Sequence, residues 1–313
     1  MKLLHRWWAM PLAIGILIAL SGASIMIGAA DFDWELLRQS RLPRTAAVLL
    51  AGSALAMAGL LMQLLTQNRF VEPSTVGTTE SAALGLLLIT IFAPASPIFV
   101  KMAVACVAAI AGTALFIFTI GRLRHRKGFI VPLVGIMIGT VIGAISTFIA
   151  LDVDLIQSLN AWQLGSFAGT IVGRWELLML VAVMLVISYF VADRFTLLGL
   201  GKSYAINAGI NFKRTETLGL VIVAITAAIV VTVIGSLPFL GLVVPNIVSL
   251  YFGDNARRSL PWVMILGAGF TLVCDLAGRL LRYPFEIPVG TVVGVVGGAI
   301  FLVILLRRHQ HAR

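Results

Sequence analysis

Ten blocks of predominantly apolar residues fill most of this 313-residue chain, at about 7–29, 45–65, 74–93, 97–120, 129–151, 175–192, 217–236, 238–252, 260–280 and 288–306. A helix needs about 20 apolar residues to cross the hydrocarbon core. In lipid its backbone must be hydrogen-bonded internally. The pattern therefore predicts an all-α polytopic membrane protein, with about ten transmembrane helices in a single domain over residues 1–313. Charged residues make up 12% of the chain, against about 25% in soluble globular domains. That excludes a cytosolic enzyme, a disordered chain and a nucleic-acid-binding module. Ten spans leave roughly 110 positions for loops and tails, too few for a separate soluble catalytic domain. The eighth block is short and holds Pro238 and Pro245, which predicts a tilted or broken helix.

The net charge of +10 is a topology signal. If the amino terminus starts on the cytoplasmic side, the cytoplasmic segments carry 16 of the 23 Lys and Arg residues and the outer segments 7. Positive residues collect inside, so both termini are expected in the cytoplasm. The run after Arg6 is too long for the core of a cleaved signal and reads as a first helix. Cys106 and Cys274 lie in apolar stretches without CxxC spacing and read as buried hydrophobes.

No catalytic constellation emerges. Gly199-Leu200-Gly201-Lys202-Ser203 imitates the end of a phosphate-binding loop, but Thr196 stands where that motif requires its first glycine. The histidines, His5, His125, His309 and His311, fall in basic segments without the partners a metal site needs. Glu80 and Asp275 are the acidic residues that read as lying within spans away from their ends, which makes them functional candidates. Asp275 lies one helical turn before Arg279, so an intrahelical pair accounts for it.

Arg41 and Arg44 at the entrance to the second span, with Arg279 and Arg282 at the end of the ninth, form an outer basic group. Basic residues outside run against the positive-inside bias, and the group suits a surface that receives an acidic protein or ligand. Pro43 is compatible with a first helical turn there. The inner loop from Asp193 to Glu216, with a helix-like stretch from Lys202 to Ala208, is longer than a connection needs and is expected to dock a partner. Glycines repeat at four-residue intervals as Gly135, Gly139, Gly143 and as Gly290, Gly294, Gly298, a pattern that lets helices approach closely. Pro73-Ser74-Thr75-Val76-Gly77-Thr78 and Pro288-Val289-Gly290-Thr291 form a faint echo between the third and tenth spans, of the kind an inverted repeat leaves.

Several motifs in order together resemble a known family. Arg41-Leu42-Pro43-Arg44, the tract Gly52 to Gly59 with Gln63, Asn68 and Pro73, and Trp162-Gln163-Leu164-Gly165-Ser166 are three of them. Gly241-Leu242-Val243-Val244-Pro245, Asp275-Leu276-Ala277-Gly278-Arg279 and Glu286-Ile287-Pro288-Val289-Gly290 complete the set. The chain resembles the FecCD-type permeases of bacterial ABC importers, relatives of the cobalamin permease. The resemblance implies a ten-helix transport subunit without an ATPase site of its own, in the bacterial cytoplasmic membrane. It implies as partners a second permease subunit (a paralogue or a copy), two cytoplasmic ATPases that bind ATP and Mg, and an extracytoplasmic binding protein. By the same resemblance Arg41, Arg44 and Arg279 meet acids of the binding protein. Leu200, Gly201, Ala205, Asn207 and Gly209, within 198–210, couple to the ATPase. Gly139, Thr140, Gly143 and Gly294 are expected along the path, and no cofactor or metal is expected on the chain.

Asn246 and Ser249 depart from the family's usual His and Arg. Pro245 to Ser249 with Gly253-Asp254-Asn255 is similar to the branch that serves catecholate-type siderophores. The expected cargo is therefore a ferric siderophore. Cobalamin or haem is the alternative within the family, and an ion-coupled secondary transporter using Glu80 and Asp275 is the alternative outside it.

Overall fold

The computed structural model describes residues 8–28, 33–123, 129–173, 175–253 and 255–310, the last four by backbone only. His5, His125, His311 and Asp254 lie outside the described residues. Every apolar block contains a helix, and no strand occurs among the described residues. In chain order the helices are α1 (Ala9–Met26), α2 (Trp34–Leu36), α3 (Leu42–Thr66), α4 (Thr78–Phe92), α5 (Ile98–Arg122), α6 (Ile130–Asp152) and α7 (Ile156–Gln163). Then come α8 (Met179–Phe190), α9 (Ala192–Gly199), α10 (Lys202–Asn207), α11 (Phe212–Val233), α12 (Leu240–Phe252), α13 (Ala256–Leu280) and α14 (Val289–Gln310).

Among the described residues seven helices are long and apolar enough to cross a membrane alone. The segment Trp175–Phe190 with α9 forms an eighth candidate, bent by 64°. Helices α4 and α12 are shorter, at 15 and 13 residues.

Helix α3 is the axis of the bundle, with 19 of its 25 residues buried. A helix that is apolar or small on all sides belongs inside, and the tract Gly52 to Gly59 supplies those small residues. A Cβ on Gly52 would stand 2.6 Å from the Gly267 carbonyl oxygen, and one on Gly59 only 2.0 Å from that of Gly241. Backbones of α13 and α12 therefore touch α3 directly. Gln63 donates from Nε2 to the Gly241 carbonyl at 3.3 Å, which satisfies a polar group inside the bundle. The outer faces of α1, α6 and α14 expose rows of Ile, Leu, Val and Phe, as suits contact with lipid tails or another apolar surface.

The architecture repeats. Helices α3 to α6 have 25, 15, 25 and 23 residues, and α11 to α14 have 22, 13, 25 and 22. In each set the second helix is short and starts from a left-handed residue, Gly77 at φ 82° or Phe239 at φ 64°. In each set the last helix meets that start with its glycines. A Cβ on Gly135 or Gly139 would meet Thr75 or Gly77, and one on Gly294 or Gly297 would meet Pro238 or Phe239. Gly219, early in α11, lies against Leu65, late in α3, so the sets run in opposite directions. The repeat thus matches α4 with α12, the third and eighth spans, not the third and tenth that the Pro-Val-Gly-Thr echo suggested. Both glycine stripes pack within the chain, apart from Gly143, whose Cβ position has nothing within 4 Å.

One local reading needs extension and one needs correction. Pro43 falls in the first turn of α3, and helical turns continue before it, so that Trp34–Thr66 runs as one 33-residue span. Residues Leu37–Arg41 take the wider π geometry, which relieves the clash a proline makes with the preceding turn. The stretch from Asp193 to Glu216 is largely helical, comprising α9, α10 and the first turn of α11.

Candidate functional site

At the α3 amino-terminal end, four charged side chains from three elements form one cluster. Arg44 donates from Nη2 to Asp275 Oδ1 at 2.8 Å, and from Nη1 to Glu286 Oε1 and Oε2 at 2.8 and 2.9 Å. Arg279 pairs with the other oxygen of Asp275. The Asp275–Arg279 pair follows from i,i+4 spacing on α13, whereas Arg44 and Glu286 arrive through the tertiary fold. Asp275 is 2% exposed and Glu286 33%, so the cluster grades from buried to surface. The two positive and two negative side chains balance, which makes their burial tolerable.

The same end secures α1. Arg279 Nη1 donates to the carbonyls of Ser24 and Ile27 at 3.0 and 2.9 Å, and its Nη2 to Ser24 Oγ at 2.6 Å. Arg41 Nη1 donates to the carbonyls of Ile25 and Met26 at 3.0 and 3.2 Å. The last turn of a helix leaves carbonyls without intrahelical donors and carries partial negative charge, and two guanidinium groups answer both needs. Arg38 and Arg282 lie exposed nearby in the chain. The three arginines singled out in the sequence are thus brought to one place. Glu286 and Ser24 had no visible signal beyond a motif position and a hydroxyl.

The middle of the bundle holds an open cavity of about 740 Å³. Its lining includes Glu80, Gly139, Thr140, Gly143, Trp162 and Gln163. Three of the four expected path residues are there. Gly294 is not, and lies against Pro238, itself a lining residue, with a Cβ-to-Cγ approach of 3.5 Å. Glu72 lies at the rear of the cavity, 2% exposed, a third embedded carboxylate beyond the two expected. It accepts from the Phe239 amide at 2.8 Å and Ser74 Oγ at 2.5 Å. Phe239 has no side-chain oxygen to cap α12, so Glu72 satisfies that amino terminus from another element. One carboxylate thereby ties the starts of both short helices together. The missing signal was positional, since Glu72 falls between two apolar blocks.

Asn246 and Ser249, the two departures, secure the same connection. Asn246 Nδ2 donates to the Arg69 carbonyl at 2.8 Å and the Leu242 carbonyl at 2.7 Å, and Arg69 Nη1 donates to Ser249 Oγ at 3.1 Å.

At the opposite end, α9 lies across the end of α3, with Gln67 Nε2 donating to the Leu198 carbonyl at 3.5 Å, and α10 packs on α9 and α11. Gly201 turns the chain at φ 111°. Gly209 ends α10 at φ 78°, where Ile210 N donates to the Ala205 carbonyl and Gly209 N to that of Ile206, a helix stop that favours glycine. Ala205 is buried and anchors the segment. Leu200, Tyr204 and Ile206 are exposed at 58%, 68% and 52%, and Asn207 is exposed beside them. Gly201-Lys202-Ser203 opens α10 from the short turn after α9 with no preceding strand, so it is no phosphate-binding loop. No cluster of potential metal ligands occurs among the described residues.

The chain matches the FecCD transport family over residues 9–307. It is 43% identical to the petrobactin import system permease protein YclN of Bacillus subtilis, covering 95% of this chain and 98% of that protein. It is 42% identical to the petrobactin permease FatD of Bacillus anthracis, covering 99% and 95%. Identity to the ferric-anguibactin permease FatD of Vibrio anguillarum is 36%, covering 92% and 95%. Among solved structures, one described as a metal-chelate type ABC transporter in an inward-facing conformation superposes with a TM-score of 0.82. It covers 95% of this chain and 98% of that one at 22% identity, a likeness of fold. With a family match that runs nearly end to end, this chain belongs to the FecCD transport family.

Proposed function

We propose that the chain is the permease subunit of an ATP-binding-cassette importer that carries a ferric siderophore across the bacterial cytoplasmic membrane. The observation that carries this reading is near-complete alignment, at 36–43% identity, with three permeases named for siderophore import. The motor and its ATP and Mg belong to two cytoplasmic ATPase subunits, and a second permease, a paralogue or a copy, completes the channel. The 16-to-7 distribution of basic residues supports cytoplasmic termini and puts the arginine cluster outside.

On this reading an extracytoplasmic binding protein docks its carboxylates on the cluster of Arg41, Arg44 and Arg279. Arg44 reaches the surface beside Glu286, while Arg41 and Arg279 hold the frame behind it. The exposed apolar side chains of α10, with Leu200, Gly201, Ala205, Asn207 and Gly209, form the contact that transmits ATPase closure. The cavity bounded by Gly139, Thr140 and Gly143 is this subunit's share of the path, with Gly294 supporting its wall through Pro238.

The test is radio-iron uptake from a panel of ferric siderophores in iron-starved cells with and without this chain, before and after ATP depletion. The expected outcome is an ATP-dependent loss confined to one siderophore class in the deletion strain, and a similar loss with Arg44→Ala. Unchanged uptake of every siderophore, with loss of cobalamin or haem uptake instead, overturns the cargo assignment. Full uptake by Arg44→Ala removes the docking contact.

A further inference from the structure

Glu80 is the embedded carboxylate that the packing of the chain does not use. It is the third residue of α4, and the Cβ position of Gly139 lies 3.5 Å from its Oε2. Gly139 is nine residues from the start of α6, about 14 Å along it, near the middle of a hydrocarbon core about 30 Å thick. Among the described residues no cation pairs with Glu80. Its one side-chain hydrogen bond is from Thr79 Oγ1 to Oε2 at 3.0 Å. It is half-buried and lines the 740 Å³ cavity, where no Lys or Arg appears.

The contrast with the other embedded acids is informative. Asp275 is held by two arginines, and Glu72 by a backbone amide and a serine hydroxyl. An embedded charge costs at least about 2.5–3.5 kcal/mol at the bilayer centre unless water or a partner compensates it. The cavity is open and wide enough to hold water, and Glu80 is part of its lining. Trp162 lines the same cavity, and an aromatic face beside a carboxylate is a recurrent environment for alkylammonium groups.

We infer that Glu80, with Trp162 in the lining of the same cavity, forms a transit subsite for a protonated amine on the chelate, and so selects among cargoes inside the path after the binding protein has released them. This rests on the importer reading above. A charge-assisted hydrogen bond contributes enough to change the passage rate by on the order of tenfold. Glutamine keeps the shape of the side chain and one acceptor but removes the charge.

The experiment uses the complete importer reconstituted in proteoliposomes, with saturating loaded binding protein and ATP inside. Uptake is compared for a ferric chelate carrying a free primary amine and for the same chelate with that amine acetylated. The expected result is that the wild type favours the amine form by about tenfold. Glu80→Gln is expected to bring the ratio near one while acetylated-chelate uptake persists, and Glu80→Asp to retain the preference. A wild-type ratio of one overturns the inference whatever the variants do, and leaves the importer reading standing. A ratio unchanged in Glu80→Gln, or equal loss of both chelates, overturns it too. If the wild type imports neither chelate nor any other siderophore, the importer reading falls and takes the subsite with it.

Discussion

At the scale of single residues, the same side-chain type serves opposite ends according to what the fold sets around it. Asp275 sits between Arg44 and Arg279 and is almost wholly buried, whereas Glu286 meets Arg44 at the surface. Removing the first charge leaves two guanidinium groups facing each other in a poorly solvated site. Removing the second leaves Arg44 its bond to Asp275. Asp275→Asn is therefore expected to destabilise by about 3–5 kcal/mol, and Glu286→Gln by no more than about 1 kcal/mol. Thermal unfolding of the two variants in detergent measures both. Equal shifts of the two midpoints would show that the cluster is not organised around Asp275. The i,i+4 spacing made the Asp275–Arg279 half of this cluster readable in advance. Arg44 and Glu286 are 242 residues apart, and nothing local predicts their meeting.

At the scale of elements, the informative places are where helices stop. Helices α4 and α12 begin inside the bundle, and Glu72 joins their starts through the Phe239 amide and Ser74. Short helices with polar starts at membrane depth occur where the backbone lines a cavity or is bonded to protein. The prolines at 238 and 245 announced the second break. The first was hidden because Pro73 falls at the edge of an apolar block. Helix α10 ends on Gly209 in a left-handed conformation that costs other L-residues about 1–2 kcal/mol. No heavy atom stands within 4 Å of its Cβ position, so a larger side chain would project from the surface proposed to meet the ATPase. Gly209→Arg is expected to abolish ATP-driven uptake while binding-protein docking, followed by co-purification, is retained. Normal uptake by this variant would mean that the α10 face is not the coupling contact.

At the scale of the whole molecule, charge distribution and helix geometry bear on the same question from independent sides. On the proposed topology the arginine cluster and the α9–α10 segment lie on opposite sides of the membrane, and the length of α3 separates them by about 37 Å. Gln39→Cys, beside the cluster, and Ser203→Cys, in α10, test the assignment. A membrane-impermeant thiol reagent applied to intact spheroplasts is expected to label the first and not the second. Inside-out vesicles should reverse the result. Labelling of both positions from one side would invert or abolish the proposed topology. Cys106 and Cys274 lie within helices α5 and α13, half-buried and buried, so they add little background.

Hydropathy alone determined that the chain is helical and multi-span, because lipid leaves a backbone few ways to satisfy its polar groups. The spacing of basic residues determined the expected orientation, and motif order determined the family. Which glycines meet which backbones, the pairing of α4 with α12, the α1 clamp by Arg41 and Arg279, and the embedding of Glu72 were decided by tertiary structure. The physical reason is common to all four. A residue's hydropathy is its own property, but its partner across the bundle is chosen by helix packing over hundreds of residues. A carboxylate such as Glu72 or Glu80 reads alike in sequence until the fold supplies an amide to one and an open cavity to the other.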